Sequence, residues 1–225
     1  PEVSPAPLST WSPTPGMMPV DDVQIQIIDT PSLNREFIDP EMVNLLRRAD
    51  LVLLVIDVQT SPVQQLEEAT DILYQQHIVP QHQSKAYDDP QLKLTIKPML
   101  VAVNKTDDES IDEVYDIFCQ LLEDDWPMVP VSAETGRNLD QLGRTVFEKL
   151  NIMRIYSKAP GEAPDLDRPY VLPKGSTVEE LAEKVHRDFY ENLKAARVWG
   201  SGAFDGQAVA RDHVLEDGDV VELRI

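Results

Sequence analysis

Lys97–Asp107 reads KPMLVAVNKTD, and the fold turns on this stretch. Met99–Val103 is an uninterrupted apolar run with the length and Val-rich composition of a parallel strand buried on both faces. It runs into Asn104, Lys105, Thr106 and Asp107, a polar cluster at the strand's carboxyl end, which is where open α/β sheets hold their ligands. An Asn–Lys–x–Asp set there suits a purine that offers both donors and acceptors. A carboxylate accepts from two adjacent N–H groups, such as N1 and N2 of guanine; the amide reaches the far edge, and the lysine stem lies over the ring plane. Taken alone, such a cluster reads equally as a polar strand-to-helix loop, so its neighbours have to decide.

Upstream, Val23–Asp29 (VQIQIID) alternates apolar and polar residues as a strand does and ends in Asp29, Thr30, Pro31 and Ser32. Asp39 and Pro40 are a cap and first-turn pair that open a helix to about Arg48. Leu51–Asp57 (LVLLVID) is a second buried strand, and Pro62 to about His77 is a helix with Val63, Leu66, Ala69 and Leu73 on one face. Residues 75–97 lack a period and read as a long surface loop with a short strand at Leu92–Ile96. Downstream, Ser110 and Glu113 form a capping box for a helix with Ile111, Val114, Tyr115, Phe118 and Leu122 inward. Met128–Val131 is a short strand ending in Ser132, Ala133 and Glu134, and Asn138 caps a helix that buries Leu139, Leu142, Val146 and Leu150. Strands alternating with helices predict a parallel sheet with right-handed crossovers. Residues 1–16, with Pro at positions 1, 5, 7, 13 and 15, read as an extended lead-in.

The pattern changes near residue 157. Residues 157–167 (SKAPGEAPDLD) read as a linker between a first domain at 1–156 and a second at 168–225. In the second, Tyr170–Leu172, Arg197–Trp199 and Val220–Ile225 read as strands around one helix capped by Thr177, with Val178, Leu181, Val185 and Phe189 inward. That is a small α+β roll.

Composition narrows the function classes. The formal charge is −20. Residues 1–167 hold 12 Lys+Arg against 29 Asp+Glu, a net −17, and residues 168–225 hold 8 against 11, a net −3. So acidic a body does not bind nucleic acid by charge alone. The absence of any run of 18 apolar residues predicts no membrane span. The single Cys119 excludes an internal disulfide and fits a reducing, cytoplasmic setting. A chain that starts at Pro1, with neither Met nor a signal peptide, is expected to be a fragment.

Asp29-Thr30-Pro31-Ser32, Asn104-Lys105-Thr106-Asp107 and Ser132-Ala133-Glu134 together resemble, in order and spacing, the DxxG, NKxD and SAx motifs of P-loop GTPases. Leu8–Gly16 followed by Ile25–Asp29 narrows the resemblance to the Obg and developmentally regulated GTP-binding families. Pro169–Thr177, Ala196–Gly200 and Asp212–Glu222 resemble a TGS domain, a ubiquitin-like β-grasp module. The resemblance implies an α/β fold, a P-loop-GTPase-like parallel sheet that here lacks the first strand and P-loop, followed by the β-grasp domain. It implies GTP or GDP as ligand, with the base read by Asn104, Lys105, Asp107, Ser132, Ala133 and Glu134. It places Thr10, Asp29, Thr30, Pro31 and Ser32 on the phosphate side, with Thr10 and Asp29 toward Mg2+.

This chain departs from the pattern in three places. No GxxxxGK[ST], the loop that cradles the phosphates, occurs in it. Ser32 stands where DxxG has a glycine whose N–H approaches the γ-phosphate. Leu33 stands where many GTPases place a water-orienting Gln, although Obg-like proteins also carry an apolar residue there. GTP and Mg2+ binding by this chain is therefore expected to be weak or absent. The leading expectation is a slow, ribosome- or RNA-linked GTPase switch; the alternative is a non-hydrolysing scaffold whose TGS domain binds RNA, protein or a small nucleotide. His77 and His82 have no Cys or carboxylate partners at metal-ligand spacing, His186 and His213 read as surface or satisfied histidines, and Cys119 and Trp199 read as packing.

Overall fold

The computed structural model describes residues 12–33, 38–87, 92–200 and 204–225. Thr10, expected on the magnesium side, lies outside them. The chain divides into two compact units, Pro1–Met18 with Gln26–Leu150, and Pro19–Ile25 with Asn151–Ile225.

The elements of the first part, in chain order, are β1 (Thr14–Val20), β2 (Val23–Asp29), α1 (Pro40–Arg48), β3 (Val52–Asp57), α2 (Pro62–Gln75), β4 (Ile78–Pro80), β5 (Thr95–Lys97), β6 (Met99–Asn104), α3 (Asp112–Leu121), β7 (Met128–Pro130) and α4 (Leu139–Lys149). Its centre is a three-stranded parallel sheet in the order β3-β6-β7. Val52, Leu54, Ile56, Met99, Val101 and Val103 bury one face of it against Leu66 and Leu73 of α2 and Phe118 of α3. Five consecutive β6 residues, Met99–Val103, are buried, as the unbroken apolar run requires of a central strand. Asp39 caps α1 by accepting from the Glu41 N–H, with Pro40 in the first turn.

Several expected features take another form. β2 pairs with β1 in a separate two-stranded sheet, not with β3. Pro15, Gly16 and Pro19 had concealed β1, which joins β2 through Asp21 and Asp22. Within the span read as a loop, β4 and β5 pair in parallel on either side of a 3-10 segment at Gln81–Tyr87. Ser110 does not cap a helix: Asp108 accepts from the Ser110 N–H and starts a short 3-10 turn, and α3 begins at Asp112. Asn138 sits at the N-cap of α4 in the left-handed region, and its side chain donates to the Pro130 carbonyl instead of capping. Val114 and Leu139, expected inward, are 41% and 42% exposed.

The second unit contains β8 (Ile152–Ser157), β9 (Asp165–Pro173), α5 (Val178–Val185), α6 (Arg187–Asn192), β10 (Ala195–Trp199), β11 (Gln207–Val209) and β12 (Val220–Arg224). They form one sheet in the order β11-β10-β12-β8-β9, antiparallel except for the β12–β8 pair. α5 lays Val178, Leu181 and Ala182 on a core of Met153, Ile155, Leu172, Ala196, Val198 and Val221. The Thr177–Glu180 capping box starts that helix. The expected single helix stops at His186, whose extended backbone ends α5 and whose Nδ1 accepts from the Asp188 N–H to start α6. Gly206 has φ +70, and a Cβ there would lie 3.0 Å from the Trp199 indole; glycine is what lets the chain cross that ring. The span read as a linker is bounded by strand residues on both sides, since β8 runs to Ser157 and β9 starts at Asp165.

Asp21 and Asp22 at the hairpin tip belong to this unit. Arg154 donates to Asp217 at 2.7 Å and to Asp22 at 3.2 Å, and the Tyr156 hydroxyl donates to Asp22. Burial alone would raise the Asp22 carboxyl, but hydrogen bonds from Tyr156 and Arg154 outweigh it and hold the group below its ordinary range. The Arg154 hydrogen bond likewise lowers Asp217, while the bond to Asp22 and burial raise the Tyr156 phenol.

Two expectations follow from this packing. β8 lies between β12 and β9 and supplies Met153 and Ile155, 1% and 0% exposed. Each buried side chain is worth about 1.5–3 kcal/mol, against a total of roughly 4–11 kcal/mol for a domain of this size. Residues 151–225 should therefore melt cooperatively by circular dichroism, and residues 168–225 should not. The second concerns pH. The lowered Asp22 and Asp217 stabilise the fold above their unfolded values and lose that contribution as pH falls through the lower folded ones. The raised Tyr156 contributes fully below its unfolded value and loses it as pH rises through the folded one. Asp22→Asn should thus narrow the difference in melting temperature between pH 7 and pH 3, and between pH 7 and pH 11; an unchanged profile would show that this cluster carries no linkage.

Candidate functional site

Parallel pairing sets the site. In the β3–β6 ladder Asp57 stands opposite Asn104, and in the β6–β7 ladder Val103 stands opposite Pro130. Three strand ends therefore emerge side by side: Asp57–Gln59, Asn104–Asp107 and Val131–Ala133. Backbone bonds continue the ladder past the strands, from the Val58 N–H to the Asn104 carbonyl and from the Thr106 N–H to the Val131 carbonyl, both 3.1 Å. The buried Thr106 hydroxyl donates to the same Val131 oxygen at 2.8 Å.

Lys105 occupies the left-handed region at φ +68, a costly conformation for a side chain with a Cβ and one that clusters at functional sites. Its Nζ lies 2.6 Å from Asp57 Oδ2, and its carbonyl accepts from Gln59 Nε2. The Asp57 hydrogen bond and charge raise the Lys105 ammonium above its ordinary value, so it stays protonated at neutral pH.

The Asn104 and Asp107 side chains are oriented by the neighbouring loop. The Ser132 hydroxyl, fully buried, donates to Asp107 Oδ1 at 2.6 Å and accepts from the Thr135 N–H at 3.0 Å. The Ala133 N–H donates to Asn104 Oδ1 at 3.0 Å, which commits the amide oxygen and leaves its –NH2 to meet a ligand. An ionised carboxylate has about four lone-pair sites, so one bond from Ser132 leaves room for two adjacent N–H donors.

Arg137 binds the arrangement together, donating to the Thr106 and Asp108 carbonyls at 3.2 and 3.0 Å and to both carboxylate oxygens of Asp112 at 2.9 Å. The Arg137 hydrogen bond holds Asp112 below the usual carboxylate range.

The structure thus joins Asn104, Lys105, Asp107, Ser132 and Ala133 in one network. Glu134 is exposed on the same loop. Asp29, Thr30 and Pro31 are half-buried and Ser32 is exposed at the end of β2, which belongs to the β1–β2 sheet and not to the β3-β6-β7 sheet. Leu33 packs on the core of the first unit. Asp57, Gln59, Arg137 and Asp112 are absent from the sequence-based set. Asp57 could have been found from topology, because it ends the strand next to Asn104 in a parallel sheet; the reach of Arg137 has no local signal. Among the described residues no group of three or more His, Cys, Asp and Glu could hold a metal ion, and no helix is long and apolar enough to cross a membrane.

Residues 9–152 match the elongation factor Tu GTP binding domain family, and residues 153–225 match the TGS domain family. A GTP-binding protein of Methanocaldococcus jannaschii is 41% identical over 129 residues, 57% of this chain and 33% of that protein. Developmentally-regulated GTP-binding protein 1 of Xenopus laevis is 38% identical over 56% of this chain and 34% of its own. Ribosome-interacting GTPase 1 of Saccharomyces cerevisiae is 34% identical over 56% and 33%. The matched stretch spans about a third of the length of each of these relatives. The crystal structure of a GTP binding protein from Pyrococcus horikoshii shares the fold, with TM-score 0.58 and 16% identity over 96% of this chain and 88% of that one.

Replacing Arg137 by Met removes the clamp and leaves the buried strand ends in place. Amide exchange at Thr106, Asp107 and Ala133 should accelerate, while β8–β12 keep their protection. Unchanged exchange at those three amides would show that the network does not depend on Arg137.

Proposed function

We propose that this chain, which belongs to the elongation factor Tu GTP binding domain family and continues into a TGS domain, carries the guanine-reading half of an Obg/DRG-type GTPase. The observation that carries the reading is the pairing of Asp107 with Ser132 and of Asn104 with the Ala133 N–H across two adjacent parallel strand ends. Guanine N1–H and N2–H would donate to Asp107, the Asn104 –NH2 would meet the opposite edge, and the Lys105 stem, steadied by Asp57, would cover the ring. Adenine presents no matching pair of donors, so its binding would leave the carboxylate unmet.

On the phosphate side the described residues offer Asp29 and Thr30. One carboxylate is enough for Mg2+ when nucleotide phosphates and water supply its other ligands, so Asp29 fits a magnesium contact made together with the nucleotide, and the ion would neutralise phosphate charge. The separation of β2 from β3 is consistent with a P-loop strand adding between them. The cytoplasm, and the ribosome or its RNA contacted through the TGS domain, are the setting and partner we favour; the name of the yeast relative supports that choice. The scaffold reading draws support from one observation, Ser32 where the phosphate-facing glycine is expected.

Titration of the chain with GDP should move the backbone resonances of Asn104, Lys105 and Ala133, with affinity weaker than micromolar because no phosphate cradle is present. ADP should leave them still. Asp107→Asn should shift the preference toward xanthosine diphosphate, which presents an oxygen in place of the N2 donor, by roughly 5- to 150-fold, given the ~1–3 kcal/mol cost of an unmet buried group. Equal shifts with GDP and ADP, or an unchanged preference in the variant, would refute the assignment.

A further inference from the structure

α2 and α3 lie side by side in the first unit and leave an open groove between them, about 420 Å³ in volume, with Phe118 at its floor. One wall is the first turn of α2, with Pro62 and Val63; the other is Val114, Ile117 and Leu121 of α3. These three are 41%, 56% and 63% exposed, and their i, i+3, i+7 spacing sets them in one stripe about two turns long. The adjacent face of α3 holds the core through Tyr115 and Phe118, with Leu122 just past its end, so the exposed stripe lies beside that packing and not within it.

The charge around the groove is one-sided. Neither helix contains a Lys or Arg; α2 carries Glu67, Glu68 and Asp71, and α3 carries Asp112, Glu113 and Asp116. Asp112 is taken by Arg137. Glu67 lines the groove itself, and Glu113 and Asp116 are exposed beside the stripe.

We propose that this groove is a docking site for a basic amphipathic helix of a partner protein. An apolar floor between two helices, two turns long, takes side chains spaced i, i+3 or i+4, and i+7 from one face of a helix. The acidic rim selects Lys and Arg on the flanks of that face and steers their approach. A second copy of this chain would set like-charged rims against each other, and phosphate backbones meet both carboxylates and an apolar floor; the charge therefore favours a basic protein helix over a self-dimer or RNA. This surface is separate from the base-reading residues and does not rest on the nucleotide assignment.

The test is fluorescence anisotropy with two stapled helical peptides, one with Leu at i, i+3, i+4 and i+7 flanked by Lys and Arg, the other identical but with Glu at the flanks. The basic peptide should bind the chain, and the acidic one at least about tenfold more weakly. Ile117→Asp, at an exposed position, should weaken binding of the basic peptide by about tenfold or more, the loss of roughly 1.4 kcal/mol typical of a central contact. The double change Glu67→Lys and Glu113→Lys should invert the preference between the peptides. Thermal melts of the variants report whether each remains folded, and Leu121→Asp replaces Ile117→Asp if it does not. No binding at 1 mM, equal binding of both peptides, insensitivity to Ile117→Asp and to Leu121→Asp, or a sedimenting dimer that Ile117→Asp dissociates would each overturn the proposal.

Discussion

A parallel strand buried on both faces must find all its backbone partners in its two neighbours, and β6 finds them in β3 and β7. Because the ladders are parallel, the carboxyl ends of all three strands come out on one side, and the register fixes which residues meet there. Asp57 faces Asn104 because Val52 faces Met99 at the other end of the same ladder. The energetics favour this over local strain. Burying Met99 through Val103 is worth about 1.5–3 kcal/mol for each large apolar side chain, whereas Lys105 in the left-handed region costs of order 1–2 kcal/mol. The Asp57 and Gln59 contacts to Lys105 then hold a geometry that the ladder has already imposed.

The same principle gives weight to the strands that lack such partners. β3 is an edge strand of its sheet among the described residues, and Val55, on the face away from the core, is 64% exposed. Among the described residues β2 pairs with β1 alone, and Ile27 is 37% exposed. A strand edge left open in this way presents unpaired backbone groups at which further chain can pair. The sequence composition is consistent with that: LVLLVID has no polar alternation, as suits a strand covered on both faces, yet only its Val52, Leu54 and Ile56 side joins the core.

Local chemistry was legible in the sequence, and long-range chemistry was not. The Asp39–Pro40 start, the Thr177 cap and the β6 run all depend on residues within a few positions, and each takes the expected form. Asp108 displaced Ser110 as a cap because it competes for the same N–H groups two residues earlier, which the S-x-x-E pattern does not weigh. Residues 152–156 were not read as a strand and fell within the first domain by their place before a Pro/Gly stretch, whereas β8 pairs with Tyr170–Pro173 and Val220–Val221, and nothing in MRIYS alone says so. β1 was hidden because two prolines and a glycine are tolerated in a strand with one free edge. Within the site, Asn104, Lys105 and Asp107 were visible as a motif, whereas the clamp by Arg137 joins positions about 30 residues apart.

Charge sets what the proposed ligand would need. At the proposed base site Lys105 is engaged by Asp57 and the neighbouring Arg137 by Asp112. The first 167 residues carry a net −17, so a nucleotide's phosphates approach a surface that repels them within a Debye length of about 8 Å. Hydrogen bonding to the base has to offset that repulsion unless something else neutralises the phosphates. Under the proposed function a carboxylate at Asp29 is unfavourable beside bare phosphate and favourable with a divalent cation between them. Under that reading the acidity of the body would make base recognition and cation binding interdependent: the base contacts would choose guanine, and the cation would decide whether the phosphates can stay.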